Sequence, residues 1–258
     1  MNSVSKFRPC VIIPVYNHGS TVGDVVDACI HHRLPVILVD DGSNTYTKQQ
    51  LQRITQKVND CTLYTLPVNR GKGGAVSFGL KKAYEAGFSH ALQIDADGQH
   101  DLEQIEIFLN QAHEMPDMLI AGQPLYDESA PTSRKIGREI TNFWVMLETI
   151  SRDIPDAMCG FRVYPLTACY RLLSSKRLSL RMEFDIEILV RLYWMGVRMK
   201  FLPIKIIYPE GGRSHFHMLK DNLAISRIHT ILFFTMLIRF PHLLINKIKH
   251  HLKNGDRR

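Results

Sequence analysis

Three observations predict an α/β fold, a Rossmann-like, mostly parallel sheet flanked by helices with amphipathic helices at the C-terminal end. Short β-branched runs alternate with helical patterns through the first half of the chain, the signature of a parallel sheet with crossover helices. Unusual polar groups follow four successive strand candidates, at the carboxyl ends where open α/β sheets bind ligands. The 258 residues, 45% hydrophobic and 9% aromatic, supply an ordinary globular core, which excludes intrinsic disorder.

The first strand is expected at Cys10 to Ile13. A helix follows, because Val22, Val25, Val26, Cys29 and Ile30 fall on one face behind Ser20 as N-cap. Strands at Val36 to Val39, Cys61 to Leu66, Ala91 to Ile94 and Met118 to Ala121 come next, with crossover helices at Lys48 to Val58 and Gly74 to Ala86 and another starting near Asp101. The alternation then fails, and Pro124 to Ser133 reads as a mobile loop. Helix Ile136 to Arg152, strand Arg162 to Tyr164, helix Glu183 to Trp194 and strand Arg198 to Ile207 follow without a linker, so residues 1–217 read as one catalytic-sized domain. Residues 218–258 read as an amphipathic, basic helical extension broken at Pro241.

Charge is informative by position. Residues 1–212 hold 23 Lys/Arg against 23 Asp/Glu, and residues 213–258 hold 9 against 2, so the net +7 lies wholly in the tail. A nucleic-acid binder is disfavoured, since basic residues are not interleaved with aromatics on the sheet. The five scattered cysteines, with no C-x-x-C pair, fit a reduced, cytosolic setting. Met1 to Arg8 lacks the apolar stretch of a secretory signal. Ile228 to Ile238 is only about eleven uncharged residues between Arg227 and Arg239, short of the roughly 20 needed to span a bilayer. The chain is therefore expected to lie on a membrane rather than cross it.

The polar strand ends are Pro14-Val15-Tyr16-Asn17, Asp40-Asp41-Gly42-Ser43, Asn69-Arg70-Gly71-Lys72-Gly73-Gly74 and Asp95-Ala96-Asp97-Gly98-Gln99. Two carboxylates one residue apart repel unless a cation neutralises them, so Asp95 and Asp97 suit a hard divalent ion with phosphate oxygens as co-ligands. The plainer reading is a solvated turn or a cap on the helix near Asp101. A calcium loop fails because its sixth position is His100, and a phosphate loop fails because Gly stands where Ser or Thr follows Gly-Lys. Asp40 and Asp41 either cap a turn or accept hydrogen bonds from a base or a ribose. The glycines around Lys72 either relax a turn or let backbone and Lys72 approach a ligand. No G-x-G-x-x-G follows the first strand, which argues against a dinucleotide site.

In this order and spacing, PVYN, VDDGS, NRGKGGA and DADGQ resemble an inverting family-2 glycosyltransferase of GT-A fold. Asp156-Ala-Met-Cys159-Gly160-Phe161-Arg162 and Phe184-Asp185-Ile186-Glu187 resemble segments of dolichyl- and polyprenyl-phosphate glucosyl- and mannosyltransferases. The resemblance runs from about Pro9 to Ser214. It implies that Pro14, Tyr16, Asp40 and Asp41 hold the nucleoside, with Lys72 and Asp95 completing the nucleotide site. Asp95, Asp97 and Gln99 would bind Mg²⁺ or Mn²⁺ on the donor diphosphate. Asp156 and Arg162 would face the sugar or acceptor, with Arg213 and Ser214 near the phosphates, and Asp97, Asp156 and Asp185 would be the catalytic carboxylates. His18 stands where the mannosyltransferases usually carry Glu.

The expected activity is transfer of a hexose from a nucleoside-diphosphate sugar of UDP-glucose or GDP-mannose type to a lipid-borne acceptor, foremost a polyprenyl phosphate, at the cytoplasmic membrane surface. Two alternatives stand beside it: transfer to a hydroxyl with Asp156 or Asp185 as general base, and a non-catalytic membrane-surface module. Other polar groups have readings of their own. Glu183 reads as solvated, and Asp185 or Glu187 as positioning residues. His215 and His217 read as phosphate or acceptor contacts or metal ligands, and Arg134, Lys135 and Arg138 as solvated surface or a grip on an anionic acceptor.

Overall fold

The computed structural model describes residues 7–125, 132–206 and 218–255. In chain order the elements are β1 (Pro9–Val15), α1 (Val22–His31), β2 (Val36–Asp40), α2 (Thr45–Lys57), β3 (Cys61–Thr65), α3 (Lys72–Glu85), β4 (His90–Gln93), α4 (Ile105–Glu114) and β5 (Leu119–Leu125). There follow α5 (Thr132–Thr149), β6 (Arg162–Pro165), α6 (Leu166–Ser175), α7 (Phe184–Trp194), β7 (Met199–Lys205) and α8 (Met218–Gly255). A single 3₁₀ turn at Leu102–Gln104, with Asp101 accepting from Glu103 N at 3.2 Å, precedes α4.

The seven strands lie in the order β3-β2-β1-β4-β6-β5-β7. All neighbours are parallel except β6, which runs antiparallel to both β4 and β5. The mostly parallel α/β sheet expected from the alternation is thus present, with one strand reversed. Strand period decides which side each residue serves. Val11, Ile13 and Val15 face a core built with Val22, Val25 and Val26 of α1, Leu51 of α2 and Phe108 of α4. Cys10 and Ile12 face the opposite core, made with Ala75, Val76 and Leu80 of α3 and with α6 and α7. α3 lies so close to the sheet that a Cβ on Gly79 would come within 2.6 Å of Ile12 Cγ2.

Helix ends differ from expectation in instructive ways. α1 starts at Val22, and the hydroxyl beside it is that of Thr21, which donates to Ala96 O at 2.6 Å rather than capping the helix. The bond ties α1 to the turn after β4. α6 has no counterpart among the expected elements, since Leu166 to Ser175 continues directly from β6 without a loop. The expected break at Pro241 is not found, for α8 continues through it to Gly255. A proline removes one N–H and crowds the carbonyl a turn back; Pro241 and Leu237, the residue a turn back, are both exposed, so no packed neighbour constrains the adjustment.

α8 also corrects the length argument. Leu219–Pro241, 23 residues of mean hydropathy 1.5, is long and apolar enough to cross a membrane by length and composition. One face is occupied by protein, however: Ile225, Ile228, Leu232 and Met236 are buried in the same core as α5 and α7. All five cysteines are buried and unpaired. Burial pushes the thiols of Cys10 and Cys29 up to about 12, so they stay protonated and unreactive.

The α5–α8 contact contains a buried hydrogen-bonded pair, His229 Nδ1 to Glu148 Oε1 at 2.7 Å. Burial raises the Glu148 pKa, and the His229 hydrogen bond only partly offsets this. Replacing His229 by Leu strands the carboxylate, at a cost of about 3 kcal/mol. A carboxyl whose folded pKa is raised contributes stability below its unfolded pKa and loses it as pH rises through the folded value. The His229→Leu deficit, measured by denaturant unfolding, is therefore expected to be larger at pH 8 than at pH 5. The double variant Glu148→Leu/His229→Leu is expected to recover most of it.

Candidate active site

Four strand ends meet at one edge of the sheet, and they are tied to one another. Asn17 adopts φ 59°, its amide donates to Ser43 Oγ at 3.0 Å, and its side-chain oxygen accepts from Asn44 N at 2.8 Å. The turn after β1 is thereby locked to the turn after β2. Tyr16 is partly exposed beside it, and Pro14 lies half-buried within β1.

The acidic pair after β2 is inward-facing. Asp40 is fully buried and accepts from Ser43 N at 2.9 Å, which leaves Oδ2 without a partner. Asp41 accepts from Arg70 N at 2.7 Å and Gly71 N at 2.8 Å, clamping the glycine-rich loop. Burial raises the Asp41 pKa in spite of those two amides.

The glycines of that loop admit protein rather than ligand. A Cβ on Gly71 would lie 2.5 Å from Leu180 O, and one on Gly73 would collide with the Phe184 side chain. Gly74 N donates to Leu180 O at 2.9 Å. The loop is therefore the seat for the segment entering α7, a packing role beside the two readings the sequence left open, a relaxed turn or close approach of a ligand.

Lys72 is drawn into the same junction. Its Nζ lies 2.9 Å from Asp95 Oδ2 and 2.9 Å from Asp185 Oδ2. Burial opposes the ammonium, but Asp185 and Asp95 outweigh it and hold its pKa above the ordinary lysine value. Burial likewise opposes the Asp95 carboxylate, and Lys72 outweighs it, so the Asp95 pKa lies below the usual range. Gly160 floors the pair: a Cβ there would stand 2.7 Å from Asp95 Oδ2 and 2.8 Å from Lys72 Nζ.

Arg162 does not face a sugar or an acceptor, as the resemblance implied. It is fully buried, donating to Asp185 O at 2.8 Å, Ala157 O at 2.9 Å and Tyr164 Oη at 3.3 Å. Tyr164 passes the chain of bonds to Gln93 Oε1 at 3.2 Å, and Gln93 Nε2 lies 3.5 Å from Asp95 Oδ1. This is a positioning network beneath the carboxylates. Sequence reasoning missed Gln93 and Tyr164, although a Gln within the apolar run Ala-Leu-Gln-Ile was a signal.

Asp156 is buried too. Its Oδ1 accepts from Met158 N at 3.0 Å and Cys159 N at 2.8 Å, and its Oδ2 pairs with Arg138 Nη1. Arg138 is thus part of the site's frame and not solvated surface. Glu187 is structural, pairing with Arg191 and accepting from Ser179 N, both at 2.7 Å. Glu183 is half-buried rather than solvated. Arg213, Ser214, His215 and His217 lie outside the described residues, as does the Arg134 side chain.

Asp97 differs from the other acids. It is partly exposed, its Oδ1 accepts only from Gln99 N at 3.1 Å, and among the described residues it forms no ion pair. Gln99 is half-exposed beside it. His100, one residue on, is buried with Nδ1 unpartnered; burial lowers its pKa while Asp95 and Asp97 pull it upward. No group of three His, Cys, Asp or Glu forms a closed metal cage among the described residues. The Asp97 carboxylate, with Asp95 shared with Lys72 and an orphaned buried nitrogen nearby, fits a divalent cation whose shell a ligand's oxygens complete.

A mostly parallel α/β sheet with its polar groups gathered at the strand ends defines an open ligand-binding edge, and the comparisons assign its class. The model of glycosyl transferase family 2 matches residues 10–173. The chain belongs to this family and is a glycosyltransferase, which sets aside the non-catalytic module. It is 30% identical over 217 residues to the UDP-N-acetylglucosamine–dolichyl-phosphate N-acetylglucosaminyltransferase of Methanococcus voltae, covering 78% of this chain and 86% of that protein. It is 28% identical over 242 residues to human dolichyl-phosphate β-glucosyltransferase, covering 83% of this chain and 74% of that one. Glucosyl-3-phosphoglycerate synthase of Mycobacterium tuberculosis, solved with Mn²⁺ and UDP-glucose, shares the GT-A fold at TM-score 0.63 and 14% identity, over 90% of this chain and 79% of that one.

Lys72→Met leaves Asp95 and Asp185 facing each other without their cation, at a cost of about 3 kcal/mol near neutral pH. An acid with a depressed folded pKa contributes stability above its unfolded pKa and loses it as pH falls. The variant lacks that contribution, so its deficit in chemical denaturation is expected to shrink as the pH falls through the ordinary Asp range near 4.

Proposed function

We propose that the chain transfers a hexose, with inversion, from a UDP-sugar to a polyprenyl phosphate at the cytoplasmic face of a membrane, residues 1–217 forming the catalytic domain. The activities of the relatives, a UDP-N-acetylglucosamine transferase and a β-glucosyltransferase acting on dolichyl phosphate, support the donor and acceptor class. Tyr16 and Pro14 would border the nucleoside, with Asp40 and Asp41 shaping its floor. Lys72 and Asp95 would lie beneath the diphosphate, and Arg213 and Ser214 would meet phosphate. Asp95, Asp97 and Gln99 would hold Mg²⁺ or Mn²⁺, which when bound neutralises charge on the departing diphosphate.

One observation carries the choice of acceptor: both carboxylates that could act as general base are held by cations. Arg138 and two amides occupy Asp156, and Lys72 occupies Asp185, with Arg162 at 3.8 Å. A hydroxyl acceptor needs a base, worth a factor of about 10² to 10⁴. A phosphate monoester needs none, because its second ionisation lies near pH 6. A phosphate oxygen then attacks the anomeric carbon as the bond to the diphosphate breaks and the nucleoside diphosphate leaves; no proton has to be removed. The protein's part is to orient the two partners.

Asp97→Asn is expected to keep the parent melting temperature and to lose at least about a hundredfold in transfer, roughly 3 kcal/mol of transition-state stabilisation, measured as UDP release with polyprenyl phosphate. A chelator should abolish the parent's activity, and Mn²⁺ or Mg²⁺ should restore it. The rate is expected to rise with pH through the acceptor's ionisation near pH 6, in the parent and in Asp156→Asn alike. An acid-stable glycosidic product, together with a pH limb that vanishes in Asp156→Asn, would replace the phosphate acceptor by a hydroxyl.

A further inference from the structure

α5 carries an apolar face that the protein leaves uncovered. Ile136, Ile140, Phe143 and Trp144 occupy positions i, i+4, i+7 and i+8, one side of the helix, and are 52%, 56%, 53% and 37% exposed. Phe234, Leu237 and Ile238 of α8 are likewise exposed. The two helices join along one seam, where Trp144 stands edge-on to Phe233 at 5.9 Å and Glu148 pairs with His229. A cleft of about 560 Å³, lined mainly by apolar side chains of both helices, opens between them with Arg152 at its rim.

The seam starts at the active-site edge. β5 is parallel to β1 and β4 through the reversed β6, so its carboxyl end lies with the polar turns, and α5 is the next helix in the chain. Arg138, in the second turn of α5, pairs with Asp156 of the site. Charge selects the occupant. All of the net +7 lies in residues 213–258, α8 carries Lys220, Arg227 and Arg239 against Asp221 among its described side chains, and Arg152 lines the cleft. A second copy of the chain would bring like charges together at such a seam, whereas an anionic lipid leaflet meets both the apolar face and these cations. α8 lies along this surface rather than through it, because its other face is packed against α5 and α7.

We propose that α5 and the exposed face of α8 form a single lipid-docking surface, on which the chain rests in an anionic leaflet with its active-site edge at the headgroups. The inference deepens the reading of a lipid-borne acceptor and rests on it for its purpose. Its test uses neither donor nor acceptor.

The chain has two tryptophans, Trp144 at the seam and Trp194, which is 4% exposed, so emission on vesicle binding reports Trp144. Full-length protein with phosphatidylcholine/phosphatidylglycerol vesicles is expected to show a blue shift and quenching by brominated acyl chains, both lost in Trp144→Phe. Phe143→Glu and the milder Ile140→Ser, each at an exposed position and checked for parent-like circular dichroism, are expected to weaken flotation tenfold or more at low salt. Unchanged emission, or flotation equal to the parent in both variants, overturns the surface. So does a lipid-free dimer that Phe143→Glu dissociates while vesicle binding persists. Flotation with the expected quenching upholds the surface even if the separate UDP-release assay with polyprenyl phosphate fails, a failure that overturns the proposed donor and acceptor instead.

Discussion

Lys72 sets one positive charge between two carboxylates that reach it from opposite halves of the chain, Asp95 at the end of β4 and Asp185 in the first turn of α7. Without that charge the two acids would face each other in a buried place, and the arrangement around them depends on its being there. Gly160 must lack a side chain because the pair fills the space where a Cβ would go. Arg162 supports Asp185 through its backbone carbonyl, and through Tyr164 and Gln93 the same chain of hydrogen bonds returns to Asp95. A buried ion pair is weak evidence for net stability. Here its clearer effect is geometric, because it fixes where β4 ends and hence where Asp97 projects.

Asp97 is the exception that this arrangement produces. The surrounding carboxylates of Asp95, Asp156, Asp185 and Glu187 each have a cationic partner and Asp40 and Asp41 are buried, whereas Asp97 is partly exposed with a single amide on one oxygen. Asp95, shared with Lys72, keeps only part of its coordination for a ligand. Asp97, partly exposed beside an orphaned His100 nitrogen, has both charge and coordination to give. The same accounting separates the acceptor classes, since a protein built to take a proton from a hydroxyl would not hold both nearby carboxylates with Arg138 and Lys72.

Much of this was legible in the sequence, and the rest was hidden for identifiable reasons. The five strands of the first half showed through because β1 and β2 are buried on both faces and read as unbroken apolar runs. The site's location followed from polar turns after those runs. Hydrogen-bond partners did not follow, because Asp41 clamping Arg70 N and Gly71 N looks in sequence like any Asp-Gly turn. Arg162 misled for a related reason: an arginine next to a site reads as a ligand contact, and only the reversed strand β6 shows it pointing into the core. α6 escaped because no turn residue separates it from β6. Pro241 misled in the other direction, since a proline within a helical pattern reads as a break, while exposure of the preceding turn lets the helix continue through it.

The site also constrains how the fold can be divided. Its first half supplies Asp95, Asp97 and Lys72, and its second supplies Gly160, Arg162 and Asp185, with the glycine loop before α3 serving as the seat for residues 179–184. β6, inserted between β4 and β5, joins the halves within one sheet. Neither half can present the acids alone: the first would leave Lys72 with one partner and its glycines bare, and the second would bury Asp185 against nothing. The absence of a linker between them is then a physical requirement of the site. α8 extends the same logic outward, since Glu148 and His229 bind it to α5, and Arg138 binds α5 to Asp156. A surface met through α5 and α8 is therefore connected to the carboxylates by the Glu148–His229 hydrogen bond, the Arg138–Asp156 ion pair and one helix, which together set the orientation of the active-site edge.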